Sequence, residues 1–148
     1  MKSVGILNSA LSEAVASMGH FQYIVLGDAG LPVPSGVRRI DLALDYQNPR
    51  LADVLRVVLR ELYLEEALVA QETQDVSPQL YAQIRAVLRR DAREDLPVHH
   101  ISHEKLKEMC GGAVAVVRTG ECTPYGNIVL VSGVDFDLLR HESGRGAY

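Results

Sequence analysis

The spacing of apolar positions marks most of the secondary structure before any chemistry is considered. Leu11, Val15 and Met18 recur at helical spacing behind Asn8 or Ser9, either of which can cap, so a short helix is predicted to reach Met18, with Gly19 at its end. Gln22 to Gly27 is a short apolar, β-branched run and predicts a buried strand. Asp28 to Gly36, with two prolines and two glycines, predicts a loop, and Arg39 to Leu44 a short strand. Asn48-Pro49 has the form of a cap followed by a first-turn proline, ahead of a periodic stretch from Leu51 to Leu62. Tyr63 to Gln71 suits helix or strand. A second helix start at Ser77-Pro78, with a helix to about Arg90, favours the strand. Arg89 to Asp95 and Pro97 predict a surface turn, Val98 to Ile101 a strand, and Ser102 the cap of a helix to about Met109, ended by Gly111-Gly112. Ala113 to Val117 and Asn127 to Val131 predict two buried strands around a polar loop, Arg118 to Gly126. From about Asp137 no core pattern continues, so residues 1–136 are expected to form the domain and 137–148 a frayed tail.

Strands alternating with helices predict a single α/β domain, and in such sheets ligands bind beyond the carboxyl ends of strands. Asp28 and the Arg118 to Gly126 loop both follow strands and are candidate site elements on that ground. A chain of 148 residues with 47% apolar and 23% charged residues can bury one sizeable core. A net charge of −4 lacks the basic footprint of a phosphate-backbone binder, so nucleic acid is not an expected partner. No apolar stretch reaches membrane-spanning length, and no basic stretch precedes an apolar run at the amino end. Two cysteines, Cys110 and Cys122, are too few for a disulfide framework. Reduced thiols in a cytoplasm are the simplest expectation.

Several side chains could do acid-base work, and each has a plainer reading. His20 can donate and accept a proton near neutral pH, yet a histidine at a helix carboxyl end is also favoured by the helix dipole. Asp28 could accept hydrogen bonds from hydroxyls or simply close an Asx turn. Tyr125 and Asn127 around Gly126 could bind hydroxyls or form a turn with a packing tyrosine. His99, His100 and His103 with Cys110 lack a second ligand pair of zinc-site spacing, so metal binding is not expected. Cys122 has no base tied to it in sequence. Glu65-Glu66 and Arg89-Arg90 read as solvated faces.

Taken in order, Leu7-Asn8-Ser9, Gly19-His20, Asp28-Ala29-Gly30-Leu31-Pro32-Val33-Pro34, Arg39-Ile40-Asp41-Leu42-Ala43-Leu44, Ser102-His103-Glu104, Thr119-Gly120-Glu121 and Tyr125-Gly126-Asn127-Ile128 resemble the D-ribose pyranase family, grouped with the L-fucose mutarotases in one superfamily. The resemblance runs from Leu7 to about Phe136, and Ala29-Gly30-Leu31-Pro32 with Arg39-Ile40-Asp41 resembles the ribose branch. It departs mildly at Tyr125-Gly126-Asn127, where ribose pyranases often carry Tyr-Ala-Asn and the fucose branch also carries glycine. It implies an α/β fold with a mixed sheet flanked by helices, and a homo-oligomer of stacked pentameric rings (a decamer) with sites near subunit contacts. It implies His20 as the proton donor and Asp28, His103, Tyr125, Gly126 and Asn127 as substrate-binding positions, with no cofactor and no metal. The implied activity is an isomerase that interconverts the pyranose and furanose forms of D-ribose. An L-fucose or related mutarotase and a non-catalytic ribose-binding accessory of uptake are the alternatives.

Overall fold

A computed structural model describes residues 1–136, and the expected tail lies outside them. The elements in chain order are α1 (Ser9–Ser17), β1 (Tyr23–Gly27), β2 (Arg39–Asp41), α2 (Leu51–Leu59), β3 (Leu64–Ala70), α3 (Gln71–Val76), α4 (Pro78–Val87), β4 (Val98–Ile101), α5 (His103–Met109), β5 (Val116–Arg118) and β6 (Ile128–Ser132). The strands form one six-stranded sheet in the order β2-β5-β1-β6-β3-β4. β6 runs antiparallel to both neighbours, while β1–β5, β2–β5 and β3–β4 are parallel. The sheet is therefore mixed, as expected.

The central strands read as continuous apolar runs because both of their faces are covered. Alternate residues divide between two cores. Ile24, Leu26, Ile128 and Leu130 join the larger one, which contains residues of α1, α2 and α4. Val25, Val129 and Val131 join a smaller one on the other face, closed by Leu106 of α5 and by Cys110. Asn8 caps α1 through Leu11 N–H at 2.9 Å, and Ser102 caps α5 through Lys105 N–H at 3.1 Å. No described helix is long and apolar enough to cross a membrane.

The expected start of α2 is corrected. Asn48-Pro49 is a cis peptide, and the Asn48 carbonyl accepts from Leu44 and Asp45 N–H, so Asn48 closes a turn instead of capping. The helix begins at Leu51, and its first N–H donates to the buried carboxylate of Glu121 at 3.3 Å, a cap supplied from 70 residues away. Ser77 offers no side-chain cap to α4 because its hydroxyl donates to the Pro124 carbonyl at 2.7 Å. α4 gives way at Leu88–Ala92 to a π-type turn where a surface turn was expected to begin. α3 was not foreseen, since only Thr73 of its six residues is buried and no apolar period exists to read. The second strand is also shorter than expected, ending at Asp41, whose carboxylate accepts from Ala43 N–H.

Gly120 lies against the Asn48 turn. It donates to the Pro49 carbonyl, accepts from Gln47 N–H, and leaves no room for a Cβ, which would fall 2.4 Å from the Asn48 oxygen. Overpacking of this kind costs roughly 1–3 kcal/mol, so Gly120→Ala is predicted to lower the unfolding free energy by that amount in urea titrations. Gly111→Ala, with open space around the new Cβ, should change it little.

Candidate functional site

The carboxyl ends of β1, β3 and β5 and the entry to β6 lie on one edge of the sheet. There the carboxamide of Asn127, wholly buried, grips Asp28 at two points. Its Oδ1 accepts from Asp28 N–H at 2.9 Å and its Nδ2 donates to Asp28 Oδ2 at 3.1 Å. The other Asp28 oxygen accepts from Gly30 N–H at 2.9 Å, so the carboxylate is fixed in direction while lone pairs stay open. Gly27 makes the clasp possible, since a Cβ there would collide with Leu31 and crowd Asn127 Oδ1. Burial pushes the Asp28 carboxyl above its usual range, opposed by the Gly30 N–H, the Asn127 amide, nearby His103 and the Leu31 N–H.

His103 is the first residue of α5, and its N–H donates to Glu72 Oε2 at 2.9 Å. Its ring meets that of Tyr125 edge-on, with centroids 5.0 Å apart. Its Nδ1 is buried without a hydrogen-bond partner among the described residues, an arrangement that asks for a polar ligand group. Tyr125 sits at φ +60°, held there by Thr73 Oγ1 donating to its carbonyl at 2.7 Å, and Gly126 is packed against Glu121 and Leu80. Arg118 supports the opposite flank by donating to the Ala29 carbonyl at 2.9 Å and pairing with Asp41 at 3.0 Å. Asp28, His103, Tyr125, Gly126 and Asn127 thus belong to one polar cluster.

His20 does not join them within a single chain. It precedes β1 whereas Asp28 follows it, and the strand alone separates them by roughly 13 Å. His20 stacks on Phe21 with ring centroids 3.9 Å apart, and its Nε2 lies 3.3 Å from Glu65 Oε2. Glu65 therefore has a specific partner where a solvated face was expected. Glu72, Thr73, Ser77 and Glu121 also escaped sequence reasoning. Each acts by holding a backbone group that is distant in sequence, and only the type of Glu121, the one acid in the Arg118 to Gly126 loop, offered a signal. His99 pairs with Glu66 at 3.0 Å and His100 with Tyr81 at 3.0 Å, and no cluster of three metal-ligating side chains exists among the described residues.

An open mixed α/β sheet with a cluster of acid, imidazole, phenol and amide at one edge defines the class of domain. Residues 1–135 match the model of the RbsD / FucU transport protein family, and the chain belongs to that family. It is similar to the D-ribose pyranase of Coprothermobacter proteolyticus, with 52% identity over 92% of this chain and 100% of that one. It is similar to the D-ribose pyranase of Vibrio vulnificus at 46% identity, again over 92% of this chain and 100% of the relative. Bacillus subtilis RbsD complexed with D-ribose superposes with a TM-score of 0.85 at 38% identity, covering 92% of this chain and 100% of that one. The fucose mutarotase of Streptococcus pneumoniae in complex with L-fucose shares the fold, with a TM-score of 0.76 at 23% identity over 91% of this chain and 99% of that one.

Thr73→Val removes the donor to the Tyr125 carbonyl and keeps the shape, so it should cost about 1 kcal/mol or somewhat more in urea unfolding. Because the folded chain holds the Asp28 proton more tightly than the unfolded chain, this group's contribution is complete below the ordinary carboxylate range. It declines as pH rises through that range to the raised midpoint, and is flat above. Across that window wild type should lose stability relative to Asp28→Asn, and a pH-independent difference between the two would contradict the raised carboxyl.

Proposed function

We propose that the chain is a D-ribose pyranase, an intramolecular isomerase that exchanges the pyranose and furanose rings of D-ribose by acid-base opening and reclosure. The observation that carries this reading is the convergence of Asp28, His103, Tyr125 and Asn127, drawn from three separate segments, on one sheet edge. Full-length similarity to curated D-ribose pyranases and to a ribose-bound RbsD supports the substrate.

A pyranose is a hemiacetal closed through the C5 oxygen. Exchange to a furanose needs a proton delivered to the ring oxygen, one removed from the anomeric hydroxyl, and reclosure through the C4 oxygen. His20 is the acid-base group in this reading, help of a kind worth roughly 10²–10⁴-fold. Asp28 accepts from sugar hydroxyls, His103 offers its unpaired Nδ1, and Tyr125, Gly126 and Asn127 hold the anomeric end. Since His20 stands at the other sheet edge, a neighbouring copy supplies it, in a homo-oligomer of stacked pentameric rings. The two free thiols, Cys110 and Cys122, support a reducing cytoplasmic setting.

The test is magnetisation-exchange NMR on D-ribose with catalytic protein, and L-fucose in parallel. Accelerated pyranose–furanose exchange of ribose alone is expected, and it should vanish in His20→Ala without loss of fold or assembly. Acceleration of fucose anomers instead would move the chain to the mutarotase branch, and binding without acceleration would make it an accessory. Co-expressed His20→Ala and Asp28→Ala chains are expected to recover activity that neither has alone. Lack of recovery, with mixed oligomers present, would place both residues of each site on one chain.

A further inference from the structure

The amino-terminal edge of the sheet, opposite the hydroxyl-binding cluster, contains an arrangement built around one carboxylate. β3 changes register against β6 between Leu64 and Glu66, a bulge that re-aims the side chain of Glu65. Arg93 donates to the carbonyls of Leu64 at 2.5 Å and Glu65 at 3.1 Å, and its guanidinium lies over the Tyr63 ring. On the other side Gly133 N–H donates to the Tyr63 carbonyl at 2.9 Å. A Cβ on Gly133 would sit 2.9 Å from Glu65 N and 3.0 Å from Glu65 Oε2, so only glycine leaves the carboxylate its path. That path ends on His20 Nε2 at 3.3 Å, while Phe21, at φ +64°, stacks on the imidazole and fixes its plane.

We infer that Glu65 is a positioning residue for His20: it accepts the Nε2–H and leaves Nδ1 as the nitrogen that exchanges the working proton. The inference rests on the acid-base role proposed for His20. The Nε2 proton stays on the ring in both the neutral and the protonated imidazole, so the hydrogen bond survives the cycle and only Nδ1 gains and loses a proton. A carboxylate that fixes the tautomer and plane of a working histidine is a recurrent arrangement, and its loss misdirects the proton without touching substrate. The pair is partly exposed, so its value lies in direction more than in stability.

The experiment combines ring ¹⁵N NMR with ribose exchange kinetics on the full chain. Wild type is expected to show His20 as the Nε2–H tautomer when neutral. Glu65→Ala is expected to mix the tautomers and lower kcat by about tenfold or more, within the range of acid-base assistance, with KM little changed. Glu65→Gln, whose amide oxygen accepts the same Nε2–H, should recover both the tautomer and most of kcat. An Nδ1–H tautomer in wild type, a Glu65→Ala enzyme with wild-type kcat, or a Glu65→Gln enzyme as impaired as Glu65→Ala would each overturn the inference. His20→Ala separates the two readings. If it is inactive while Glu65→Ala is fully active, only the role of Glu65 falls. If it is fully active, the role of His20 falls as well.

Discussion

The buried carboxamide of Asn127 is the contact on which the polar cluster at the carboxyl ends of the strands depends. An amide shut away from water must find partners, and this one finds both on Asp28, its backbone N–H and its carboxylate. The same two bonds join the entry of β6 to the exit of β1 across 99 residues of sequence. Around this clasp Thr73 and Ser77 hold the carbonyls of Tyr125 and Pro124, so the helical segment after β3 is fastened to the loop before β6. Glu121 performs the equivalent service for α2 and for its own loop, accepting from Leu51 and Thr123 N–H. The side chains that hold this cluster still, Thr73, Ser77, Glu121 and Asn127, are buried and hydrogen-bonded.

The sheet divides the chemistry between its two edges. At one, polar side chains surround a carboxylate whose proton affinity is raised by burial. At the other stands an imidazole with a carboxylate behind one nitrogen. In the proposed function the two halves meet between neighbouring copies, so association would both bury surface and assemble chemistry. Local rigidity at each edge then matters more than any direct contact between them within the chain.

Much of the fold was legible in the sequence, for physical reasons that also explain the failures. β1 and β6 were readable because strands near the middle of a covered sheet are apolar throughout, β3 because a second helix start follows it at Ser77-Pro78, and β4, at the sheet's border, because Pro97 and Ser102 bound it. α5 was readable because Ser102 is a local cap. Asn48-Pro49 was misread because the same dipeptide suits a helix start and a tight turn, and the deciding partner, Glu121, is far away in sequence. α3 was invisible because its stability comes from Thr73 and the loop it touches, without an amphipathic stripe. The identities of His20, Asp28, His103, Tyr125 and Asn127 could be singled out from residue type and family resemblance. That His20 and Asp28 occupy opposite edges follows from the direction of β1, once the sheet is known. Glu65 looked like one of two solvated acids, because nothing local announces a bulge or the glycine that accommodates it.

The place of β6 has a consequence for how the chain is made. It is the last of the described strands, yet it lies between β1 and β3, which meet only through it. While a ribosome is still producing the preceding segments, β1 and β3–β4 can exist only as pieces with unpaired inner borders, which are sticky until filled. Closure of the sheet therefore waits for the final insertion of Ile128–Ser132, a long-range event of the kind that slows folding and raises the demand for chaperone protection of the nascent chain.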